Sequence, residues 1–224
     1  SGLRESANDN PYLVFNDVRE QYLFQKQLAS PQKTWEVVQQ SNIGLDLAIL
    51  KNRLSFTGDY YVKRNKNMLA ALNLPSIIGI DVPFFNVGEL KSWGWEFDVK
   101  WKDKINEFRY SVGFNLSDNQ NELVRFDGRN IINEGVVDLL EGYPMNTVWG
   151  YKTDGYFQTK EEYDAYKQQV NPPFFPNNAG AGDVKYLDVN GDGVISAGEG
   201  TPNSPGDLVN YGTSNGRYFY GFNM

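Results

Sequence analysis

Two pairs of segments alternate apolar and polar residues with a period of two, and this pattern constrains the fold more than any other feature of the chain. Apolar positions of the first pair are Ile43, Leu45, Leu47 and Ile49, then Leu54, Phe56, Tyr60 and Val62, with Gly58 as the one gap. Those of the second pair are Trp95, Phe97, Val99 and Trp101, then Phe108, Tyr110, Val112, Phe114 and Leu116. Successive side chains of a β-strand point to opposite faces, so the pattern predicts antiparallel hairpins with one apolar face.

The apolar face could cover the core of a soluble sandwich, or it could meet lipid on the outside of a membrane barrel. The lengths of the connections favour the barrel. They alternate between short (Lys51-Asn52 and 102–107) and long (about 65–92 and 118–216). Outer-membrane barrels have short periplasmic turns and long extracellular loops, whereas a hundred-residue excursion between neighbouring strands is rare in a sandwich.

The chain is therefore predicted to be all-β, as a segment of an antiparallel transmembrane β-barrel with one short helix in its last loop. We expect residues 1–33 to form an irregular lead-in without assignment, and residues 34–117 to form wall hairpins with one long loop. Residues 118–216 are expected to form a long extracellular loop, and residues 217–224 the start of a truncated barrel strand. Four strands and the start of a fifth would leave open sheet edges, which lipid does not tolerate. We therefore expect the sequence to be a fragment of a larger barrel.

Composition excludes several classes of function. The chain has no His and no Cys, which removes Ser-His and Cys-His nucleophiles and imidazole or thiolate metal sites. A net charge of −7 argues against a nucleic-acid partner, which needs clustered Lys and Arg. Glu96 and Asp98 share a strand face as the carboxylates of a glycosidase could, but they stand in a row with Lys100 and read as the lining of a lumen. We expect that the chain is not an enzyme.

A short helix is predicted within the last loop, from about Lys160 to Gln169. Thr159 and Glu162 have the spacing of a capping box, and Tyr163, Tyr166 and Val170 share one helical face. Pro172 and Pro173 are expected to end the helix.

One segment of the sequence predicts a metal site. The residues from Asp188 to Glu199 match the calcium-loop pattern at every position. The predicted ligands are Asp188, Asn190, Asp192, the Val194 carbonyl, Ser196 and Glu199. Gly193 allows the sharp turn that directs the Val194 carbonyl inward. The alternative is a solvated Asn/Gly/Asp turn without metal. Because no helix pair flanks the loop, calcium here would be structural and weakly bound, with a Kd on the order of 10⁻⁴–10⁻³ M.

Four ordered motifs resemble the SusC/RagA family of TonB-dependent outer-membrane transporters. The first is Asn86-Val87-Gly88-Glu89-Leu90 followed by Gly94-Trp95-Glu96, and the second is Asn42-Ile43-Gly44-Leu45-Asp46 with Asn52-Arg53-Leu54-Ser55-Phe56. The third is Gly142-Tyr143-Pro144 with 149–157, and the fourth is Gly182-Asp183-Val184-Lys185-Tyr186 leading into the Asp188 loop. The loop departs from the family, which tends to carry Asp where Ser196 and Glu199 stand.

The resemblance implies a plugged barrel of about 22 strands in the outer membrane of a Gram-negative cell. It implies import of oligosaccharides or peptides, a SusD-like surface lipoprotein as partner, and TonB acting through a plug region that this sequence lacks. Outer-membrane lipid would surround the wall. Tyr143, Trp149 and Tyr156 are candidates for stacking on a sugar.

A second hypothesis belongs to another class of protein. The chain could be a soluble or surface-attached β module, stabilised by calcium, that binds a glycan or a partner protein. The two hypotheses differ in what covers the apolar face, since a soluble module must bury Leu47, Phe56, Phe97 and Val112 against a second layer of its own chain.

Overall fold

Five antiparallel strands form one continuous sheet in the computed structural model of the chain. The structure describes residues 12–15, 18–21, 33–71, 84–170 and 180–224. Within the lead-in 1–33, which was expected to be irregular, Tyr12–Phe15 and Val18–Gln21 form an antiparallel strand pair, and the rest lies almost entirely outside the described ranges. The strands are β1 (Tyr12–Phe15), β2 (Val18–Gln21), β3 (Val37–Ile49), β4 (Leu54–Ala71), β5 (Phe84–Ile105), β6 (Phe108–Phe126), β7 (Gly135–Val137), β8 (Thr147–Tyr151), β9 (Thr153–Tyr156), β10 (Val184–Tyr186), β11 (Leu208–Thr213) and β12 (Tyr218–Asn223). The helix is α1 (Lys160–Gln169). The prediction of an all-β antiparallel fold with one short helix is confirmed.

The large sheet has the order β12-β6-β5-β4-β3, so the final strand pairs beside β6 after the long excursion. Its register places the apolar positions of all five strands side by side. One such row runs through Leu47, Phe56, Val99, Phe114 and Phe222. Cross-strand neighbours of this kind lie on the same face, so the sheet has one apolar and one polar side.

The turn between β5 and β6 is shorter than the sequence predicts. The polar run 102–107 was expected to be a loop, but β5 continues to Ile105 and β6 begins at Phe108. The turn therefore consists of Asn106 and Glu107, and Asn106 has φ of 55°. A two-residue hairpin turn needs positive φ, which Asn tolerates, and this is the physical reason for the short turn.

The first long connection is also shorter than the predicted range 65–92. β4 continues to Ala71 and β5 already begins at Phe84, while residues 72–83 lie outside the described part of the chain. The sheet register shifts between Asn65 and Met68, and the Asn86 side chain donates a hydrogen bond of 2.6 Å to the Asn67 carbonyl there. Consecutive polar residues at this irregularity lie on both faces of the sheet. The alternation of apolar and polar residues in the sequence is therefore lost, although the strands continue.

A gap in the apolar side at Gly58 is closed by neighbouring rings. A Cβ at this position would lie 3.0 Å from the Phe56 ring and 3.2 Å from the Phe97 ring. The two rings are 5.8 Å apart between centroids. Glycine thus makes room for two aromatic side chains that cover its backbone.

The long excursion begins later than the predicted 118–216, because β6 continues to Phe126, and it comprises residues 127–217 before β12. It has a core of its own. Ile132, Val137, Leu140, Trp149 and Leu208 are buried together. A three-stranded sheet of order β11-β8-β7 carries much of this core. A second apolar cluster joins the excursion to the large sheet. It contains Ala70, Val87, Leu123 and Phe126, with Leu139 of the excursion packed against them.

Helix α1 begins and ends where the sequence predicts. Thr159 Oγ1 accepts a hydrogen bond of 3.1 Å from the Glu162 N–H, and Glu162 Oε2 accepts one of 2.8 Å from the Gln158 N–H. The two side chains thus satisfy two free N–H groups at the helix start. The prolines expected to end the helix, Pro172 and Pro173, lie outside the described residues.

Candidate functional site

The apolar side of the large sheet is bare. Leu47 is 48% exposed and Phe97 is 42% exposed, while Phe56 and Val112 are half-buried. Ile43, Leu45, Ile49, Phe114, Tyr220 and Phe222 on the same side are also exposed. Within the described ranges, the buried clusters lie in the excursion and at its junction with the sheet, so no second layer covers this side. A contiguous apolar surface of this extent marks contact with lipid or another protein.

Aromatic residues stand at both ends of this apolar side. One row contains Tyr60, Trp95 and Tyr218, and Trp101 lies three rows away towards the short turns. Beyond the first aromatic row, towards the long connections, the register brings polar residues together. They include Arg64 and Lys91, and Arg64 Nη1 lies 3.2 Å from Glu89 Oε1. An apolar band with aromatic rows at its ends and charges beyond them is the profile of a strand that crosses a membrane.

The opposite side of the sheet carries carboxylates at the same level along the strands as the apolar band. Asp46, Asp59, Glu96 and Asp98 lie in two adjacent rows of the register. A shallow cleft of about 250 Å³ lies over Asp59, Glu96 and Asp98 and is also lined by Asn115 and Ser117. Thr57 Oγ1 donates a hydrogen bond of 2.7 Å to Asp46. The charged residues Glu96 and Asp98, which the sequence analysis interprets as lining a lumen, therefore lie on the side opposite the apolar band.

The predicted calcium loop is closed by hydrogen bonds between its own residues. The two carboxylate oxygens of Asp188 accept hydrogen bonds from Gly191 N–H at 2.7 Å and from Gly193 N–H at 2.8 Å. Asp192 Oδ1 accepts one of 2.8 Å from Val194 N–H, and Asn190 Nδ2 donates one of 3.0 Å to Asp192 Oδ2. The first half of the predicted ligand set is thus gathered in one tight turn.

The second half of the predicted ligand set lies in different surroundings. Glu199 N–H donates to the Ser204 carbonyl at 3.1 Å, within a separate turn. Ser196 Oγ accepts from Gly198 N–H at 3.2 Å. Among the described residues, no three Asp or Glu side chains are grouped as metal ligands are. The donor types fit calcium, but the structure does not bring Glu199 together with Asp188 and Asp192.

Asp207 anchors the loop, and the sequence pattern did not reveal this residue. Its side chain is fully buried. Oδ1 accepts hydrogen bonds from Val189 N–H at 2.7 Å and Asn190 N–H at 3.3 Å, and Oδ2 accepts one from Ser196 N–H at 2.8 Å. A buried carboxylate that accepts several N–H groups fixes the backbone on both sides of the loop.

A cluster of charged and aromatic side chains holds α1 against the loop strand β10. Lys185 Nζ lies 3.3 Å from Glu162 Oε1 and 3.5 Å from Asp154 Oδ2. The Tyr166 hydroxyl donates to the Tyr186 carbonyl. The Gln158 N–H and then Lys185 lower the pKa of Glu162, whereas the hydrogen bond to Glu162 raises the pKa of Lys185. Both groups are therefore charged at neutral pH.

The three aromatic candidates for sugar stacking have different surroundings. Trp149 is buried, and its Nε1–H donates to Thr147 Oγ1 at 3.2 Å. Its ring lies edge-on to Tyr143 at 5.5 Å between centroids. Trp149 therefore belongs to a core and offers no free face to a solute, so this candidate is wrong. Tyr156 is exposed.

An open antiparallel sheet with an apolar band, a charged opposite side, and alternating short and long connections defines the wall of a membrane β-barrel. In agreement, residues 14–222 match the family model described as TonB dependent receptor-like, beta-barrel. The chain belongs to this family of TonB-dependent receptor barrels. No helix among the described residues is long and apolar enough to span a bilayer.

Several known proteins are similar to the chain. A TonB-dependent receptor of Formosa agariphila is 28% identical over 94% of this chain, which corresponds to 23% of that receptor. SusC of Bacteroides thetaiotaomicron is 22% identical over 74% of this chain and 16% of its own length. The structure of the RagAB peptide transporter has a TM-score of 0.65, with 21% identity over 93% of this chain and 21% of the matched chain. The sequence therefore spans less than a quarter of these relatives.

Proposed function

We propose that the chain is part of a nutrient importer in the outer membrane of a Gram-negative cell, to which it contributes wall strands and extracellular loops. The observation that carries the proposal is the bare apolar side of a single-layer sheet in a member of the TonB-dependent receptor barrel family. Lipid covers such a surface, and the polar side then lines the lumen. The long connections belong at the extracellular end, as in other outer-membrane barrels.

The proposed solute is an oligosaccharide or a peptide. The matched proteins include SusC and the RagAB peptide transporter, and only the name of the latter states a class of solute. The proposed partners of the parent protein are a SusD-like surface lipoprotein and TonB. The excursion 127–217 would lie on the outer side, where it could contact the lipoprotein or the solute.

Calcium remains part of this proposal as a structural ion at residues 188–199. Asp188, Asn190, Asp192 and the Val194 carbonyl would hold it, because they already share one turn. Ser196 and Glu199 are the weaker members of the predicted set, since each lies in a different turn. The ion would stiffen the loop and has no role in chemistry.

Insertion of the wall into lipid is tested with adjacent residues on opposite sides of β6. Phe114→Lys in the full-length parent protein places a cation on the apolar side, which costs about 2–4 kcal/mol near the bilayer midplane. Asn115→Lys places the same charge on the polar side and is the matched control. We expect Phe114→Lys alone to reduce folded protein in the outer-membrane fraction. Equal assembly of the two variants would contradict the proposal and favour a soluble β module.

Import is tested separately by deleting the parent gene and growing the strain on single nutrients. An importer of oligosaccharides predicts loss of growth on one class of glycan, and an importer of peptides predicts loss on a peptide mixture. Removal of TonB should reproduce the defect. Unchanged uptake of every nutrient after both deletions would contradict the proposed function.

A further inference from the structure

A polar cleft lies between β6 and the excursion, beyond Asp118, where the pairing of β6 with β12 ends. Its volume of about 420 Å³ is in the range of sites that bind small molecules. Side-chain amides dominate its lining, which includes Asn119, Gln120, Asn121 and Asn215 together with Trp93 and Glu122. The proposed function leaves this cleft without a role.

The cleft opens on the same side of the sheet as the apolar band. Trp93 is two positions from Trp95 along β5, and Gln120 is the cross-strand partner of Trp93, so both side chains lie on the side of Trp95. On the opposite side the Met145 N–H donates a hydrogen bond of 2.8 Å to Asn121 Oδ1, so the excursion covers the cleft there. The cleft is therefore accessible from outside the wall and closed towards the lumen.

The cleft lies just beyond the aromatic row of Tyr60, Trp95 and Tyr218. Residues on the same side of a strand are about 7 Å apart, so Trp93 lies about 7 Å beyond this row and Glu122 about 14 Å. An aromatic row of this kind marks the membrane surface. The cleft is thus at the level of the headgroups of the outer leaflet.

The backbone of β6 presents one free amide to the cleft. On one flank the Asn119 N–H donates to the Arg217 carbonyl at 3.1 Å, and on the other the Leu123 N–H donates to the Tyr143 carbonyl at 2.9 Å. Alternate residues of a strand direct their N–H and C=O groups to the same neighbour, so those of Asn121 point into the cleft. No hydrogen bond from the described part of the excursion reaches either group. A ligand amide can therefore pair with both, as a peptide group pairs with the edge of a sheet.

The charges around the cleft are balanced, which favours a ligand with hydroxyl and amide groups. Arg217 Nε lies 2.7 Å from Asp118 Oδ1, and Glu122 is the cross-strand partner of Lys91. The neutral amides of the lining both donate and accept hydrogen bonds, as sugar hydroxyls do. The Trp93 indole, with Lys91 Nζ 4.9 Å from its ring centre, supplies an apolar wall for a sugar ring.

From these observations, and resting on the proposed function for the orientation of the wall, we infer that the cleft binds an N-acylated amino sugar in the headgroup of an outer-leaflet glycolipid. The acylamide of the sugar pairs with the backbone of Asn121, and the sugar hydroxyls meet the side-chain amides. A solute that is imported through the lumen does not pass the outer side of the wall, whereas a glycolipid diffuses along it. The bound glycolipid holds this end of the excursion at the membrane surface.

The test measures the lipid bound to the purified full-length parent protein by native mass spectrometry. Dephosphorylated lipid A is the probe, because it presents N-acylated amino sugars without phosphate charge. Gln120→Trp fills the cleft, and Gln39→Trp is the matched control, since Gln39 lies on the same side of the sheet at nearly the same level but three strands away. We expect occupancy to fall roughly tenfold in Gln120→Trp, as for the loss of one or two hydrogen bonds, and to stay native in Gln39→Trp.

Two further probes separate a glycolipid headgroup from other occupants. Phosphatidylglycerol has acyl chains without the sugar, and its binding should be the same in Gln120→Trp and the native protein. Diacetylchitobiose has the amide-bearing sugar without acyl chains, and it should bind the native protein roughly tenfold or more weakly than the glycolipid, because it buries no acyl chain.

Three results would overturn the inference: native occupancy by the probe in Gln120→Trp, an equal loss of phosphatidylglycerol, or chitobiose binding as tight as that of the glycolipid. The last would assign the cleft to a free solute. Gln120→Ala removes only the amide and keeps the test valid if Gln120→Trp does not assemble, and we expect it to give a smaller loss of the same sign. Nutrient uptake by the same strains tests the proposed function independently, so either can fail alone.

Discussion

Arg217 holds Asp118 through two parallel hydrogen bonds, from Nε to Oδ1 at 2.7 Å and from Nη2 to Oδ2 at 2.9 Å. The two residues are 99 positions apart in sequence: Asp118 lies within β6, and Arg217 directly precedes β12 at the end of the excursion. Asp118 is only 2% exposed, and the Arg217 guanidinium lies 4.9 Å from the centre of the Tyr218 ring. A bidentate pair of this kind fixes direction as well as distance. It therefore ties the C-terminal end of the excursion to β6 of the large sheet.

Removal of this pair should increase the mobility of the excursion at its C-terminal end. In Arg217→Met the side chain keeps much of its length but loses both hydrogen bonds, and Asp118 is left buried without its cation. We expect faster protease cleavage within the excursion, residues 127–217, of the full-length protein. Arg125→Met is the control, because Arg125 forms an exposed pair with Asp127 at 3.7 Å. Equal cleavage rates in the two variants would mean that the Asp118–Arg217 pair does not hold the excursion.

Trp149→Ala should destabilise the excursion strongly. Trp149 is buried among Val137, Leu140 and Leu208, and truncation of a buried tryptophan costs about 3–5 kcal/mol. Tyr156→Ala removes an exposed aromatic ring of the same excursion and should change stability by less than about 0.5 kcal/mol. Hydrogen exchange at the amides of β8 measures both effects. A larger loss in Tyr156→Ala would contradict the core assignment of Trp149.

Asp207→Ala should release the loop at 188–196. The substitution leaves the N–H groups of Val189, Asn190 and Ser196 without their acceptor. These hydrogen bonds are partly buried, so we expect a loss below the roughly 1–3 kcal/mol that a fully buried unsatisfied group costs. Asp207→Asn keeps one acceptor oxygen and should have a smaller effect. The loop amides of both variants can be compared by hydrogen exchange. Protection that survives in Asp207→Ala would show that another residue anchors the loop.

Calcium should protect the same loop, with a Kd on the order of 10⁻⁴–10⁻³ M. We expect Asp192→Asn to weaken binding more than Glu199→Gln, because Asp192 shares the turn with Asp188 whereas Glu199 lies in a separate turn. Calorimetric titration with calcium measures the two affinities, and magnesium serves as the control ion. Absence of binding would reject the metal site, and a larger loss in Glu199→Gln would restore the full twelve-residue ligand set.

The docking of α1 should weaken in acid. Since the pKa of Glu162 is lowered in the folded chain, its stabilising contribution is complete above the unfolded pKa of about 4.3 and is lost as the pH falls through the lower folded value. Hydrogen exchange of the helix amides across pH 3–6 measures this loss, and Glu162→Gln should remove the dependence on this carboxylate. A native pH profile in Glu162→Gln would assign the effect to another group.

The sequence predicted the parts of the sheet that carry the apolar band because their alternation follows directly from side-chain geometry. The row through Leu47, Phe56 and Val99 needs only a period of two and a short turn. Strand ends outside the apolar band were missed, since Lys66 and Asn67 at the end of β4 give no alternation although they continue the strand. Beyond the apolar band, backbone pairing and side-chain hydrogen bonds such as that from Asn86 hold a strand that has no apolar face.

The residues of the candidate site could be predicted from the sequence only in part, for a different reason. The calcium motif is local, so the turn from Asp188 to Val194 could be predicted from spacing alone. Asp207 reaches the loop from 19 positions beyond Asp188, and no short pattern connects them. Trp149 was considered as a sugar platform because sequence cannot distinguish an exposed ring from one buried by Leu140 and Leu208.

Contact of the apolar side with hydrocarbon is measured most directly by lipids that carry a quenching group in their acyl chains. Single cysteines are introduced into the full-length protein at Leu47 and Phe97, and at Asp46 and Asp98 as neighbours on the other side, and each is labelled with a fluorophore. The proposed orientation predicts strong quenching at positions 47 and 97 and weak quenching at 46 and 98. Equal quenching on both sides, or stronger quenching at 46 and 98, would contradict a barrel wall with this side towards lipid.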